Sequence, residues 1–555
     1  MRYFFLLLIF SIHLPSIAQI PAGQIKGPFK HYSKIYPGTE RNYWLYIPAQ
    51  YDASRPTCSM IVQDGLSRAN GWKLSEHLDT LIANHDIPVM IGIYIDHGKV
   101  ISKDTNNYPR YNRSYEYDGL GDRYAQFLLS EIIPEVKKSY HLSDNADDRC
   151  IAGASSGAIC AFNAAWERPD AFHRVFSTIG TYVGLRGADE MATLVRKTEP
   201  KPLRIFLEDG FNDLNIYAGD WYLANQMMLS ALTWAGYEVN HAWGEGSHNN
   251  THTLTIIHDA LKWIWKDYPA GVNTHPDLYK GMPLLKNQAG WQRIHVSVDN
   301  VDRIAVNSKG EIHLTARDAN GIWKLTREGK EEKIPYMDKS FHEIGFEAQD
   351  HIIYCGKAVN GIMMADRMWP KAMVDGVKAD KIESTPDGFY FNQTKVNRLG
   401  YFNYKTKKIS YITVPSKVTG MALNAEQSFL NVTLDNQVFG SSYKINADGS
   451  LDQGQSYIHY HIPYGNKTAE PRTAVIDTAN LLYTATNMGV QISDQLGRVN
   501  MILPVPGGSV SDLVFGGIEL NELFVISDGK LYSRKLNTKG KLSSGPSIKP
   551  PRPGM

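Results

Sequence analysis

The chain has 555 residues, with 58 Lys plus Arg against 57 Asp plus Glu for a formal charge of +1, and is 43% hydrophobic and 21% charged. These are globular proportions that exclude disorder, collagen or a coiled coil, and a near-neutral chain without basic runs lacks the electrostatic footprint of a nucleic-acid binder. The length asks for two or more cores, and four cysteines cannot staple such a chain, so those cores must be hydrophobic.

Arg2 precedes an apolar run over residues 3–14, and Pro15-Ser16-Ile17-Ala18 places small residues at the −3 and −1 positions. This is the pattern of a secretory signal cleaved after Ala18. The run falls short of the ~20 residues that span a bilayer. The mature protein is expected to be secreted or periplasmic, with no membrane span.

From residue 27 to 268, strand-like and helix-like patterns alternate. Strands are predicted over 57–62, 88–95, 149–152 and 203–207, each short, apolar and followed by polar turns. Helical spacing over 122–140 puts Tyr124, Phe127, Leu128, Ile132 and Val136 on one stripe, and further helices are predicted over 157–166, 221–235 and 253–265. Such alternation predicts an α/β domain, a mostly parallel sheet with helices on both faces.

Residues 269–290 open with turn-forming residues and read as a linker. Beyond Trp291 helical patterns vanish, and a repeat of β run, polar turn and β run opens at Ile304, Ile344, Ile382, Met421, Val475 and Leu513. The intervals are 40, 38, 39, 54 and 38 residues. A period near 40 with four-strand content predicts a β-propeller, and six units close a ring over residues 291–541. The Pro- and Ser-rich tail, 542–555, is expected to be disordered.

The chemistry concentrates at Gly153-Ala154-Ser155-Ser156-Gly157, between a predicted strand and a predicted helix. This is the G-x-S-x-G elbow in its required context: glycines admit a tight turn that pushes the Ser155 hydroxyl outward. The N–H of Ser156 would then face a developing oxyanion at a helix N-terminus. A serine nucleophile needs a base, and the base an orienter, in the chain order Ser, acid, His. His248 lies on a Gly-flanked loop in the right place, with His252 as the rival base. For the acid, Asp213 competes with Glu208, Asp209 and Asp220. All candidates precede residue 269. Cys150 and Cys160 read as buried apolar thiols, and Cys58 and Cys355 show no metal spacing.

With these residues in view, residues 27–268 resemble the esterase-D-like α/β-hydrolases, the group of enterochelin esterases and of the acetyl-xylan and feruloyl esterases of carbohydrate esterase family 1. The matching stretches are VQDG at 62–65, GASSG at 153–157, GFND at 210–213 and GSH at 246–248. The resemblance implies Ser155 as nucleophile, Asp213 as acid and His248 as base, with a second oxyanion N–H from Gly65 or Leu66. It implies no metal or organic cofactor. The expected activity is serine ester hydrolysis, on acetyl or feruloyl esters of carbohydrate or on another small-molecule ester such as a siderophore trilactone.

Residues 291–541 resemble the gluconolactonase and senescence-marker propellers, best over 475–536 with LLYT, GVQI and LVFGG. Active members of that family hold one divalent cation at the ring centre. Aligned blade by blade, the ligand positions fall on Asp302, Asp380, Thr419 and Arg472. A guanidinium in place of an oxygen ligand repels a metal. The expectation is therefore a propeller without a catalytic cation, with Arg472 paired to Asp302 or Asp380. The alternatives are a metal-dependent sugar lactonase centred on the propeller and a non-catalytic glycan-binding protein.

Overall fold

The computed structural model describes residues 20–553 apart from residues 105, 274–278, 281–282, 286–288, 327–328, 336, 338–339, 357–358, 367–368 and 394. The expected signal, residues 1–18, and parts of the expected linker lie outside the described residues. The chain divides into two compact units: one takes the chain up to residue 188 with 202–226 and 239–273, the other takes 189–201, 227–238 and 274–555. The division thus differs from a single cut near residue 269. Within the second unit, the Glu199 carboxylate takes both terminal nitrogens of Arg534, at 2.6 and 2.7 Å, which ties the early segment 189–201 into it.

The first unit is built on one sheet. Its strands are β1 (Gln24–Tyr32), β2 (Glu40–Ile47), β3 (Cys58–Gln63), β4 (Met90–Ile95), β5 (Lys99–Val100), β6 (Arg110–Tyr111), β7 (Arg149–Ala154), β8 (Arg174–Thr178), β9 (Arg204–Asn212) and β12 (Glu238–Ser247), with the small hairpin β10 (Asn215–Ile216) and β11 (Gly219–Asp220) apart. The order is β12-β9-β8-β7-β3-β4-β2-β5-β6, with β1 paired to β2. The four pairs joining β4, β3, β7, β8 and β9 are parallel, and β1, β2 and β4 pair antiparallel. The central strands are buried along their whole length, as parallel strands covered on both faces are, even where they carry Gln63, Arg149 or Arg174.

On one face, Met60, Val62, Ala152 and Phe176 pack against Ala69 of the helix Gly65–Gly71, Trp72 just after it, Leu78 and Ile82 of the helix Leu74–Ala83, and Ile257, Leu261 and Ile264 of the helix Thr251–Ile264. The alternate residues Ile61, Ile93, Ile151 and Val175 are equally buried, so the other face is covered as well. The helix predicted over 122–140 runs from Arg123 to Lys137 and widens into a π turn at Leu128–Ile132, just ahead of Pro134, which has no N–H to donate.

The second unit carries a six-bladed β-propeller. Six four-stranded antiparallel sheets begin with the strands Val301–Val306, Glu343–Phe346, Ile382–Thr385, Val418–Leu423, Ala474–Ile476 and Val510–Gly516. Each repeat opening named above falls in one of these strands. The sixth sheet is completed by Gln292–Ile294, which pairs with Lys530–Lys535, so the earliest strand of the ring closes its last blade. Neighbouring blades share apolar cores, such as Ile353, Phe389 and Phe391 between the second and third. The long interval of 54 residues is explained by the stretch 460–473, which lies between the fourth and fifth sheets and carries Glu470 and Arg472.

Two expectations are corrected here. The tail is ordered through residue 553: the Ile548 N–H donates to the Ala425 carbonyl, and Gln427 Nε2 donates to the carbonyls of Ser543 and Gly545. Residues 541–544 help line a central cavity of about 130 Å³, formed by the first strands of all six blades. There burial pushes Glu383 up to about 8 and Lys541 down to about 8. Nor does Arg472 pair with Asp302 or Asp380. It meets Glu470 at 3.4 Å, while Asp302 meets Arg317 and Asp380 meets Lys417. Near the ring centre the part-buried Lys381 lies 2.7 Å from the Glu343 carboxylate. All four cysteines are buried and unpaired. Among the described residues, no group of three or more His, Cys, Asp or Glu side chains could hold a metal, and no helix is long and apolar enough to cross a membrane.

Candidate active site

The elbow forms where β7 ends and the helix Ser156–Glu167 begins. Ser155 itself adopts φ 58° and ψ −124°, a strained conformation that lifts its side chain clear of the sheet. Gly153 is needed because a Cβ there would lie 2.1 Å from the Gly157 carbonyl oxygen. The turn and its strain are fixed together by that close pass.

The structure brings Ser155, His248 and Asp213 together. Ser155 Oγ is 2.9 Å from His248 Nε2, and His248 Nδ1 is 2.6 Å from Asp213 Oδ1. His248 follows the end of β12, and Asp213 follows the end of β9, so neighbouring strands deliver base and acid to the nucleophile. Burial works against charge on Asp213, but its hydrogen bonds, that to His248 foremost, outweigh burial and hold it below the usual carboxylate range.

Ser156, Gly65 and Leu66 each stand in the first turn of a helix, where N–H groups have no carbonyl of their own helix to bond. Gly65 has φ +61°, and a Cβ on it would strike the Asp96 carboxylate at 2.2 Å. The preceding Asp64 is gripped by Arg113, whose Nε and Nη2 donate to its two oxygens at 2.7 and 2.8 Å.

The rivals have other places. His252, inside the helix Thr251–Ile264, pairs through Nδ1 with Glu208 at 2.7 Å, and Thr253 donates to the other Glu208 oxygen at 3.0 Å. That hydrogen bond pushes His252 above the ordinary histidine range. Its ring lies against β12, where a Cβ on Gly244 would come within 2.3 Å of it. Asp220 accepts from the Leu223 N–H at 3.0 Å. Asp209 is wholly buried beside Asp213.

Sequence reasoning missed three participants. Thr181 Oγ1 lies 3.2 Å from Ser155 Oγ and accepts from Trp221 Nε1 at 3.1 Å. Arg113 lies in a stretch of chain with no motif to flag it. Trp221 also packs edge-on to the His248 ring.

A parallel-centred sheet with a strained serine elbow, and with acid and base on loops after later strands, defines an α/β-hydrolase domain. Residues 35–284 match the model of the Esterase family. Two curated relatives are the iron(III) enterobactin esterases of Dickeya dadantii, 27% identical over 40% of this chain and 52% of its own length, and of Escherichia coli, 24% identical over 41% and 54%. The chain thus spans about half the length of these relatives. A solved gluconolactonase of Xanthomonas campestris is similar over 46% of this chain and 91% of its own, at 12% identity and a TM-score of 0.41.

Proposed function

We propose that the protein is an exported serine carboxylic-ester hydrolase that removes acyl groups, acetyl or feruloyl, from carbohydrate. The observation that carries the chemistry is the unbroken hydrogen-bond chain from Ser155 Oγ through His248 to Asp213. His248 Nε2 takes the Ser155 proton as Oγ attacks the ester carbonyl carbon. The oxygen that becomes negative is received by the N–H groups of Ser156 and Leu66. The intermediate collapses, the alcohol leaves with the proton from His248, and an acyl-serine remains. Water repeats the sequence through the same base, releasing the acid. Asp213 keeps the imidazole oriented and stabilises its charged form.

Export is supported by the pattern of residues 2–18, and a carbohydrate ester by the motifs shared with the acetyl-xylan and feruloyl group. The names of the Dickeya and Escherichia relatives favour a second reading, a siderophore trilactone as substrate. Acetylated xylan, a feruloylated xylo-oligosaccharide and enterobactin, each offered to wild type and Ser155→Ala, separate the two. Turnover of enterobactin alone would replace the carbohydrate reading, and equal turnover by both proteins would end the serine mechanism. N-terminal sequencing of protein recovered outside the cytoplasm tests cleavage after Ala18.

A further inference from the structure

Asp213 is anchored through one oxygen only. Its Oδ1 receives the His248 ring nitrogen and the Leu214 N–H, both at 2.6 Å. Its Oδ2 is buried and has no donor among the described residues. An unmet carboxylate oxygen in a site shielded from water is costly to leave so. The group that adjoins it is the Asp209 carboxyl.

Asp209 is fully buried within β9, three residues before its end, and the Asp213 N–H donates to the Gly210 carbonyl at 3.1 Å, which turns the chain back toward Asp209. Asp209 Oδ1 receives the Gly210 N–H at 2.7 Å, and Oδ2 receives Asn225 Nδ2 at 2.7 Å. The Asp213 carboxylate lies close enough that its charge raises the cost of ionising the buried Asp209. Two carboxylates buried side by side repel each other and leave Asp213 Oδ2 without a donor, and a proton on one of them relieves both costs. Asp213 faces His248. Asp209 faces Asp213 itself and, along the strand, Glu208, which is engaged with His252; the helix Trp221–Ala235 and the turn at Gly180 offer it only neutral groups. Burial, then the Asp213 charge, push Asp209 well above the usual carboxylate range.

Resting on the esterase reading, we propose that Asp209 is a neutral carboxylic acid whose O–H donates to Asp213 Oδ2, a positioning residue that holds the other oxygen of Asp213 on His248. The hydrogen bond pins the carboxylate in the plane His248 needs and spreads part of its charge.

The proton can be seen without turnover. The infrared spectrum of the full-length protein at neutral pH should contain a protonated-carboxyl C=O band that disappears in Asp209→Asn and persists in Asp220→Asn. Absence of an Asp209-dependent band overturns the proposal whether or not the protein hydrolyses esters, and its presence stands even if Ser155→Ala has no effect. Kinetics then read the positioning. Asp209→Asn presents an amide N–H to the same oxygen and should retain most of the turnover that Asp209→Ala loses, the latter falling about tenfold or more in kcat with KM little changed. In Asp209→Ala the acid limb of the pH–rate profile should move to higher pH, because an undiluted Asp213 charge holds the His248 proton more tightly. If Asn is as damaging as Ala in folded protein, or if the limb does not move, Asp209 is not a donor to the catalytic acid.

Discussion

Arg113 clasps Asp64 with two nitrogens, at 2.7 and 2.8 Å, and with one of them also reaches the Ala154 carbonyl at 3.3 Å. One guanidinium therefore joins the residue before the Gly65–Leu66 turn to the residue before the nucleophile. Arg113→Ala should lower kcat by about 10- to 100-fold with a smaller change in KM, because the donors for the oxyanion are no longer held in one geometry. Arg113→Lys should recover little, since an ammonium cannot fork to both oxygens. A fall confined to KM would place Arg113 in ground-state binding instead.

Ser155→Ala should cost on the order of 10⁴–10⁶ in ester turnover. Its Tm should be unchanged, as the lost hydroxyl supports no packing. Retention of more than about a tenth of wild-type turnover would remove Ser155 from the reaction.

The Glu208–His252 pair makes stability depend on pH. The folded pKa of His252 is raised by its hydrogen bond to Glu208 above the ordinary 6.5, so the pair's contribution is complete below that value and is lost as pH climbs through the raised one. Glu208→Gln should flatten this part of the Tm profile, losing most against wild type at mildly acidic pH and least at alkaline pH. Thermal melts across the neutral range measure it, and parallel profiles would show that the pair does not titrate.

Dialysis against a chelator should leave ester hydrolysis unchanged, since the serine route asks nothing of a metal. Activity lost to chelation and restored by a divalent cation would move the chemistry to the propeller. Within the ring, Lys381→Met should cost roughly 3 kcal/mol because Glu343 stays buried without its 2.7 Å partner. Arg472→Ala, at a half-exposed pair, should cost less than about 1 kcal/mol. Denaturant melts of the two variants rank them, and the reverse order would make Arg472 the structural cation.

Much of this was legible in the chain because local chemistry and fold agree. The elbow announces itself through glycines that only a close helix–strand pass requires, and the blades through apolar runs at a steady period. The choice among Glu208, Asp209 and Asp213 was not legible from composition, because it turns on the pleat. Glu208 and Asp209 are neighbours that point to opposite faces, one to His252 and one beneath Asp213. The expected pairing of Arg472 failed because partners are set by local reach: Arg472 lines one cavity with Asp380 and Thr419, but Glu470 meets it and Lys417 meets Asp380. The tail misled because Pro and Ser composition reports on propensity alone, whereas its carbonyls and N–H groups are met by Ala425 and Gln427.

The pairing of Gln292–Ile294 with Lys530–Lys535 has a bearing on how the molecule is made. During synthesis the strand at 292 emerges more than two hundred residues before its partner. Until the final blade arrives, the growing arc has an open edge at each end, the kind of surface that recruits other chains. A nascent chain stalled anywhere in that span would be a sticky half-ring, so sealing of the circle belongs to the last moments of biosynthesis.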